Sequence, residues 1–274
     1  MNTFSNNKKP IVRKIYIIIV TAIILVSTAC EFKLKQFGEE GQPTLVQVQR
    51  YDRLESRYLT TGDFSALQQM NIDYPKQTRM LIEDILQLGE VNDAGINTKL
   101  LNFYQDTILQ TIIAETDMQY ANMNDINTQL SDAFKKLQKI CPEIKIPTIY
   151  TQISALNQSI VIGDNTIGIS LDKYLGKDFE PYRRFYTEEQ RQQMTREQIV
   201  PDCMSFYLLS LYPLRNFENS TQQERDIHMG KIMWTVNRLL GRKVFNTKYT
   251  AMVDRLAKQN PKLSVRNILE QDCK

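Results

Sequence analysis

The sequence predicts a mostly helical α+β domain in which a small sheet, including one β-hairpin, packs against helices. Three observations predict it. Long stretches on both sides of the middle of the chain carry apolar residues at three- and four-residue steps. Between Pro142 and Leu171 the pattern changes to short β-branched runs, and the "GDNT" inside them has the composition of a tight turn. The composition, 42% hydrophobic and 24% charged over 274 residues, is that of a folded chain.

The first segment is a leader. "MNTFSNNKKPIVRK" carries Lys8, Lys9, Arg13 and Lys14, and the apolar run "IYIIIVTAIILV" and then "STAC" follow it. A basic start, a short apolar run and closing small residues make a secretory signal. The uncharged stretch from Ile15 to Cys30 has 16 residues, fewer than the roughly 20 that a spanning helix needs. Small residues directly before a cysteine resemble a lipobox. Ser27 replaces the usual leucine, while Val26, Thr28 and Ala29 keep the character. The expectation is a signal peptide over residues 1–29, a lipidated Cys30 as first residue of the mature protein, and a tether over 30–43. The competing reading is an uncleaved anchor with an incidental cysteine. Several acyl chains on one residue, at about 0.8 kcal/mol per buried CH₂, hold a protein firmly. The remaining residues, 44–274, form a single expected domain.

Within that domain "TLVQVQRYD" alternates Leu45, Gln47 and Gln49 against Val46, Val48 and Arg50, which favours a strand. A helix is expected after Gly62 with Asp63 as its N-cap. "YPKQTRMLIEDILQLGEVND" aligns Met80, Leu81, Ile85 and Leu88 on one face and is expected to stop at Gly89. Helical spacing runs from Asn97 to about Lys139 with breaks near "YANMND". "IPTIYTQIS", "SIVIG" and "TIGISL" are strands, the last two making a hairpin from Ser159 to Leu171. Thr187 with Gln190, and Ser220 with Gln223, are expected capping boxes. Pro201 opens and Pro213 ends the helix "DCMSFYLLSLY", and Gly241 stops the helix that Ser220 opens.

That last helix holds the only histidine and the only tryptophan of the chain. Met229, Ile232, Met233, Val236 and Leu240 form one apolar stripe. Ile227 and Trp234 lie on another side, with Gly230 between them allowing close approach by a neighbour. His228 falls on the flank of the stripe, one turn after Glu224, and is expected as a helix-surface contact. One histidine cannot make HExxH, no GxSxG or cysteine-protease signature accompanies it, and no CxxC spacing exists. No catalytic or metal-ligating residue and no cofactor is expected. The net charge of +3, without a Lys/Arg block, argues against nucleic acid. The absence of GxGxxG and GxxxxGK stretches argues against a nucleotide loop. Beyond Cys30, Cys141, Cys203 and Cys273 are buried hydrophobes or hold at most one disulfide.

"LDKYLGKDFEPY" has two readings. Asp172, Lys173, Tyr174, Gly176 and Tyr182 form either a recognition loop for an envelope partner or a strand-to-helix junction whose aromatics cap the core.

"VQVQRYD", "IDYPKQTRMLIEDILQLG", "IGISLDKYLGKDFEPY", "EQIVPD" and "GKIMW" occur in this order. Together they resemble the gliding-motility lipoprotein GldB family, from about Thr44 to about Leu240. The resemblance implies a cell-envelope lipoprotein, required for motility in gliding bacteria and associated with the machinery that exports and moves surface adhesins. It also implies envelope proteins as partners, and lipid anchorage most readily at the outer membrane facing the periplasm. The family is distantly similar to zinc-peptidase-like domains. "DCMSFYLLSLY" would then stand where HExxH stands, without its histidines or glutamate, and "DIHMGK" in the helix that follows. The expected function is a non-enzymatic component of a motility or surface-protein secretion assembly. The alternative is an envelope hydrolase with an unrecognised carboxylate site.

Overall fold

In a computed structural model the described residues are 45–270, so the leader, Cys30, the whole tether over 30–43 and Cys273 lie outside them. Helix α1 (Tyr51–Thr61) stops at Gly62, which takes the left-handed φ of 70° and bonds back to the Tyr58 carbonyl. α2 (Phe64–Asp73) is capped by Asp63, whose side chain accepts the Ser65 N–H. α3 (Pro75–Arg79) begins on its proline and passes into a π-helical turn over Met80–Ile85. The extra residue in that turn ends the helix before Gly89. Gln87 takes a positive φ of 52° instead, and the Leu88 N–H reaches the Ile82 carbonyl.

α4 (Ile96–Phe103), α5 (Thr107–Gln119) and α6 (Asn124–Ile140) fill the next stretch. The break at Tyr120–Met123 was expected; the one at Tyr104–Asp106 was not. There Tyr104 is fully buried and donates to the Ile153 carbonyl at 2.7 Å, while Asp106 restarts the chain as the α5 N-cap.

The sheet has three strands in the order β1–β3–β2. β2 (Ile160–Gly163) and β3 (Thr166–Ser170) form the expected hairpin, with Asn165 at φ 52° in its turn. β1 (Thr148–Gln152) runs parallel to β3 in a register that pairs Tyr150 with Gly168. A Cβ on Gly168 would lie 2.6 Å from the Tyr150 hydroxyl, so this glycine makes room for the ring.

The expected strand at 44–52 is much shorter. Its alternation is real, since Val46 and Val48 are buried, but only Gln49 bridges to a strand, at Tyr150. The N–H groups of Val46 and Val48 bond instead to Ser131 and Asn127 on α6.

After the short α7 (Glu188–Arg191), where the Thr187–Gln190 capping box forms as expected, α8 (Ile199–Leu211) crosses beneath the sheet. α9 (Gln222–Leu240) ends at Gly241, φ 68°. Its capping box is one residue later than expected, on Thr221 and Glu224. The Ser220 hydroxyl already bonds to the Phe217 carbonyl, closing the preceding 3₁₀ turn.

α10 (Lys248–Gln259) and α11 (Val265–Glu270) complete the described chain. α9 is apolar on two sides, as expected. Ile232, Val236 and Leu239 enter the main core, and Trp234 joins Val253 and Ile268 in a second, smaller one. Met229 and Met233 are only half-buried. Residues Thr44–Lys274 cluster as one compact unit. Among the described residues no helix is long and apolar enough to cross a membrane.

Candidate functional site

The segments that carry the family resemblance meet in space. Tyr51, in the first, is fully buried and donates to the Thr78 hydroxyl of the second at 3.2 Å. Tyr174, in the third, donates to Asp202 of the fourth at 2.8 Å. Tyr120 of α5–α6 donates to the Tyr174 carbonyl at 2.6 Å. Long-range tyrosine hydroxyl bonds thus hold elements together where a purely apolar core would leave their register less specified.

The structure brings the five loop residues into one closed loop. Asp172 is fully buried, and its carboxylate accepts the N–H groups of Ser154 (2.9 Å) and Leu156 (2.6 Å). Ala155 and Leu156 both have positive φ, 51° and 66°. This costly pair of left-handed residues is held by the carboxylate it wraps. Lys173 lies over the Tyr186 ring at 4.4 Å and donates to its hydroxyl at 2.7 Å. Gly176, φ 106°, bonds through its N–H to the Met194 carbonyl. Tyr182 is fully buried; its hydroxyl donates to the Asp172 carbonyl and accepts the Leu175 N–H.

Asp172, Tyr174 and Tyr182 are therefore buried within the loop. The exposed part of the loop is its outer rim, Lys177, Asp178, Glu180, Arg183, Arg184 and Phe185. Between that rim and the start of α5 lies a shallow apolar cavity of about 370 Å³, walled by Ile108, Thr111, Phe179, Pro181 and Arg184 among others.

The carboxylates that periodicity did not single out lie deep in the core. Asp52 is fully buried, ion-paired to Arg50 at 2.7 Å and hydrogen-bonded to the Thr151 hydroxyl. Glu55 accepts the Ile153 N–H on Oε2 at 2.8 Å, and its Oε1 has no hydrogen-bond partner. Burial pushes the Glu55 carboxyl well above its ordinary range, against the Ile153 N–H bond, and the nearby Asp52 and Asp172 charges push it further. Burial also raises Asp202 to about 6, opposed by its bond from Tyr174. Neither Asp202 nor Glu55 is among the residues that line the apolar cavity beside the loop.

His228 is not a surface residue. It is 6% exposed, because the segment after α8 folds over the flank of α9. One ring nitrogen donates to the Tyr212 carbonyl, and Nε2 is buried without a partner. Burial lowers its pKa, the Tyr212 bond opposes that, and the Lys231 charge lowers it a little further. His228 also forms part of the wall of a second cavity, of about 310 Å³, with Leu211, Tyr212, Pro213, Leu214, Arg215, Leu269 and Glu270. Nothing in the periodicity of α9 signals this, because the covering residues come from the chain that follows α8.

No curated protein and no solved structure matches the chain. The zinc-peptidase comparison gains no support, and the inward positions of α8 hold Cys203, Met204, Tyr207 and Leu208. A family model described as gliding motility protein GldB matches residues 38–260. The match spans the convergent tyrosine network, the closed loop and α9, and covers most of the sequence. The chain belongs to the gliding motility protein GldB family.

Proposed function

We propose that this gliding-motility-related envelope protein is a lipoprotein anchored through Cys30, and that it acts by protein contact, without catalysis, as an accessory of a motility or surface-protein secretion assembly. The family match over 38–260 carries the reading. Two features support it. The basic leader and the small residues "STA" directly before Cys30 have the composition of a secretory signal. Asp52 and Asp172 bind backbone and side-chain donors inside the fold, and Glu55 accepts the Ile153 N–H on one of its two oxygens.

The partner surface on this reading is the outer rim of the loop with the adjoining start of α5. The residues Asp172, Tyr174 and Tyr182 position that rim without touching the partner. Thr111→Arg combined with Arg184→Glu alters two exposed positions at the cavity and leaves the core intact. Tagged wild-type protein purified from membranes should bring down motility or secretion components identified by mass spectrometry. The double variant should melt at the same temperature, remain in the membrane fraction and lose those components. An unchanged set of components would remove the rim from the account, and a wild-type sample without them would remove the assembly.

A further inference from the structure

We propose that the basic surface formed by the end of α9 and the outer side of α10 lies against the anionic phospholipid headgroups of the membrane that carries the protein. The inference rests on the envelope-lipoprotein reading, which puts the domain beside a membrane, and it uses none of the loop rim.

Charge is divided unequally along the domain. Residues 237–262 hold seven lysines and arginines against one acid, whereas residues 45–236 hold 19 against 25. All seven cations are exposed. Only Lys258 among them forms an ion pair within the described residues, with Asp254 at 2.8 Å.

The fold gathers these cations on one surface. The Trp234 indole donates to Asp254 at 3.3 Å, and the Arg238 guanidinium lies 5.0 Å from the centre of the same ring. The Lys258 and Trp234 bonds hold the Asp254 carboxyl below its usual range, and the Lys243 charge acts in the same direction. Arg238, Lys243 and Lys258 therefore share a single acid, which neutralises at most one of them. On α10 Thr250 and Val253 are buried, while Lys248, Met252 and Arg255 recur at four- and three-residue steps on the exposed side. Met252 adds apolar area among the cations.

The described chain begins nearby. The Val46 N–H bonds to Ser131 on α6 at 2.9 Å, and Lys136, further along the same helix, donates to the Leu239 carbonyl at the end of α9 at 2.7 Å. From Ser131 to Lys136 an α-helix rises about 7.5 Å. The residues from Cys30 to Pro43 can span at most about 50 Å, so an anchor at Cys30 leaves this end of the domain within reach of headgroups. An acidic protein would also meet this charge. Headgroups fit it better, because the cations are long, exposed side chains spread from Arg238 to Lys262, and a headgroup layer attracts such charges without demanding one register.

Residues 30–274 carrying Cys30→Ser have no acyl chain and include the compact unit Thr44–Lys274. This protein should bind vesicles of equal parts phosphatidylglycerol and phosphatidylcholine at least about tenfold more tightly than phosphatidylcholine alone, and salt at about 0.5 M should release it. Arg255→Glu with Lys262→Glu, at two exposed cations without ion pairs, should weaken that binding at least about tenfold at an unchanged melting temperature. Arg183→Glu with Arg215→Glu makes the same change in net charge elsewhere and should bind as the parent does. Equal losses in the two double variants would reduce the effect to net charge and overturn the assignment of this face. Equal binding to both vesicles would overturn it too. So would a poly-glutamate peptide that binds where the vesicles do not, the result expected of an acidic-protein site. Because no acyl chain is present, a negative result removes this face and leaves lipidation at Cys30 to membrane fractionation.

Discussion

Glu55 is held in the core by one backbone N–H on Oε2, while Oε1 has no partner, and burial keeps its proton on well above the usual carboxylate range. Its folded pKa is raised, so the stability it contributes is fully present below the unfolded value and is lost as pH rises towards the folded value. Each pH unit in that window costs about 1.4 kcal/mol. Glu55→Gln keeps the acceptor for Ile153 without the proton cost. Its melting temperature should exceed wild type at pH 7.5, and the two should converge near pH 4.5. A lower melting temperature at pH 7.5 would mean that the ionised carboxylate is needed. Asp172 and Asp202 are raised in the same direction. His228 has the opposite sign: its lowered pKa contributes stability above the unfolded value that is lost as pH falls through the folded one. Because the ring is buried and bonded to Tyr212, His228→Gln should cost about 1–3 kcal/mol in urea unfolding. A cost within 0.5 kcal/mol, about that of an ordinary surface change, would return the residue to the surface of α9.

Packing between elements is most exacting where α9 meets α10. A Cβ on Gly230 would stand 2.6 Å from the Tyr249 Cβ and 3.1 Å from its carbonyl carbon, neither of which can swing away. Gly230→Ala should therefore push the helices apart at an overpacking cost of roughly 1–3 kcal/mol. Trp234→Ala should cost about 3–5 kcal/mol, since it empties the small core of Val253 and Ile268 and removes the bond to Asp254. Thermal melts of the purified variants check both.

These helix relationships show what a sequence carries. Asp63, Thr187, Gly241 and the Asn165 turn act within three or four residues of themselves, and local chemistry located each of them. Gly230 was legible because a glycine between two apolar residues on a helix leaves space for a neighbour. The burial of His228 was not, because it depends on the segment after α8 closing over α9. The strand at 44–52 shortened for a similar reason: Ser131 and Asn127, far along the chain, take its N–H groups. Two adjacent hydroxyls competed to cap α9, and the 3₁₀ turn before it decided between them. The loop of Asp172, Tyr174 and Tyr182 was located by its sequence, but its inward orientation depends on Ser154, Leu156 and Asp202, which no local pattern supplies.

At the scale of the whole molecule, the helical domain keeps Asp52, Glu55 and Asp172 and many of its tyrosines inside, and the proposed function adds to it a lipid anchor at Cys30, which follows small residues in the sequence. The account rests on that cysteine, because contact with envelope machinery requires the domain to be held at a membrane. Cys30→Ser removes the proposed acyl acceptor and alters no residue of 44–274. The most direct measurement is the fractionation of wild-type and Cys30→Ser protein after a high-salt wash of the envelope. The account predicts wild type in the membrane pellet and Cys30→Ser in the soluble envelope fraction. A Cys30→Ser protein that stays in the pellet would contradict it and make the leader an uncleaved anchor.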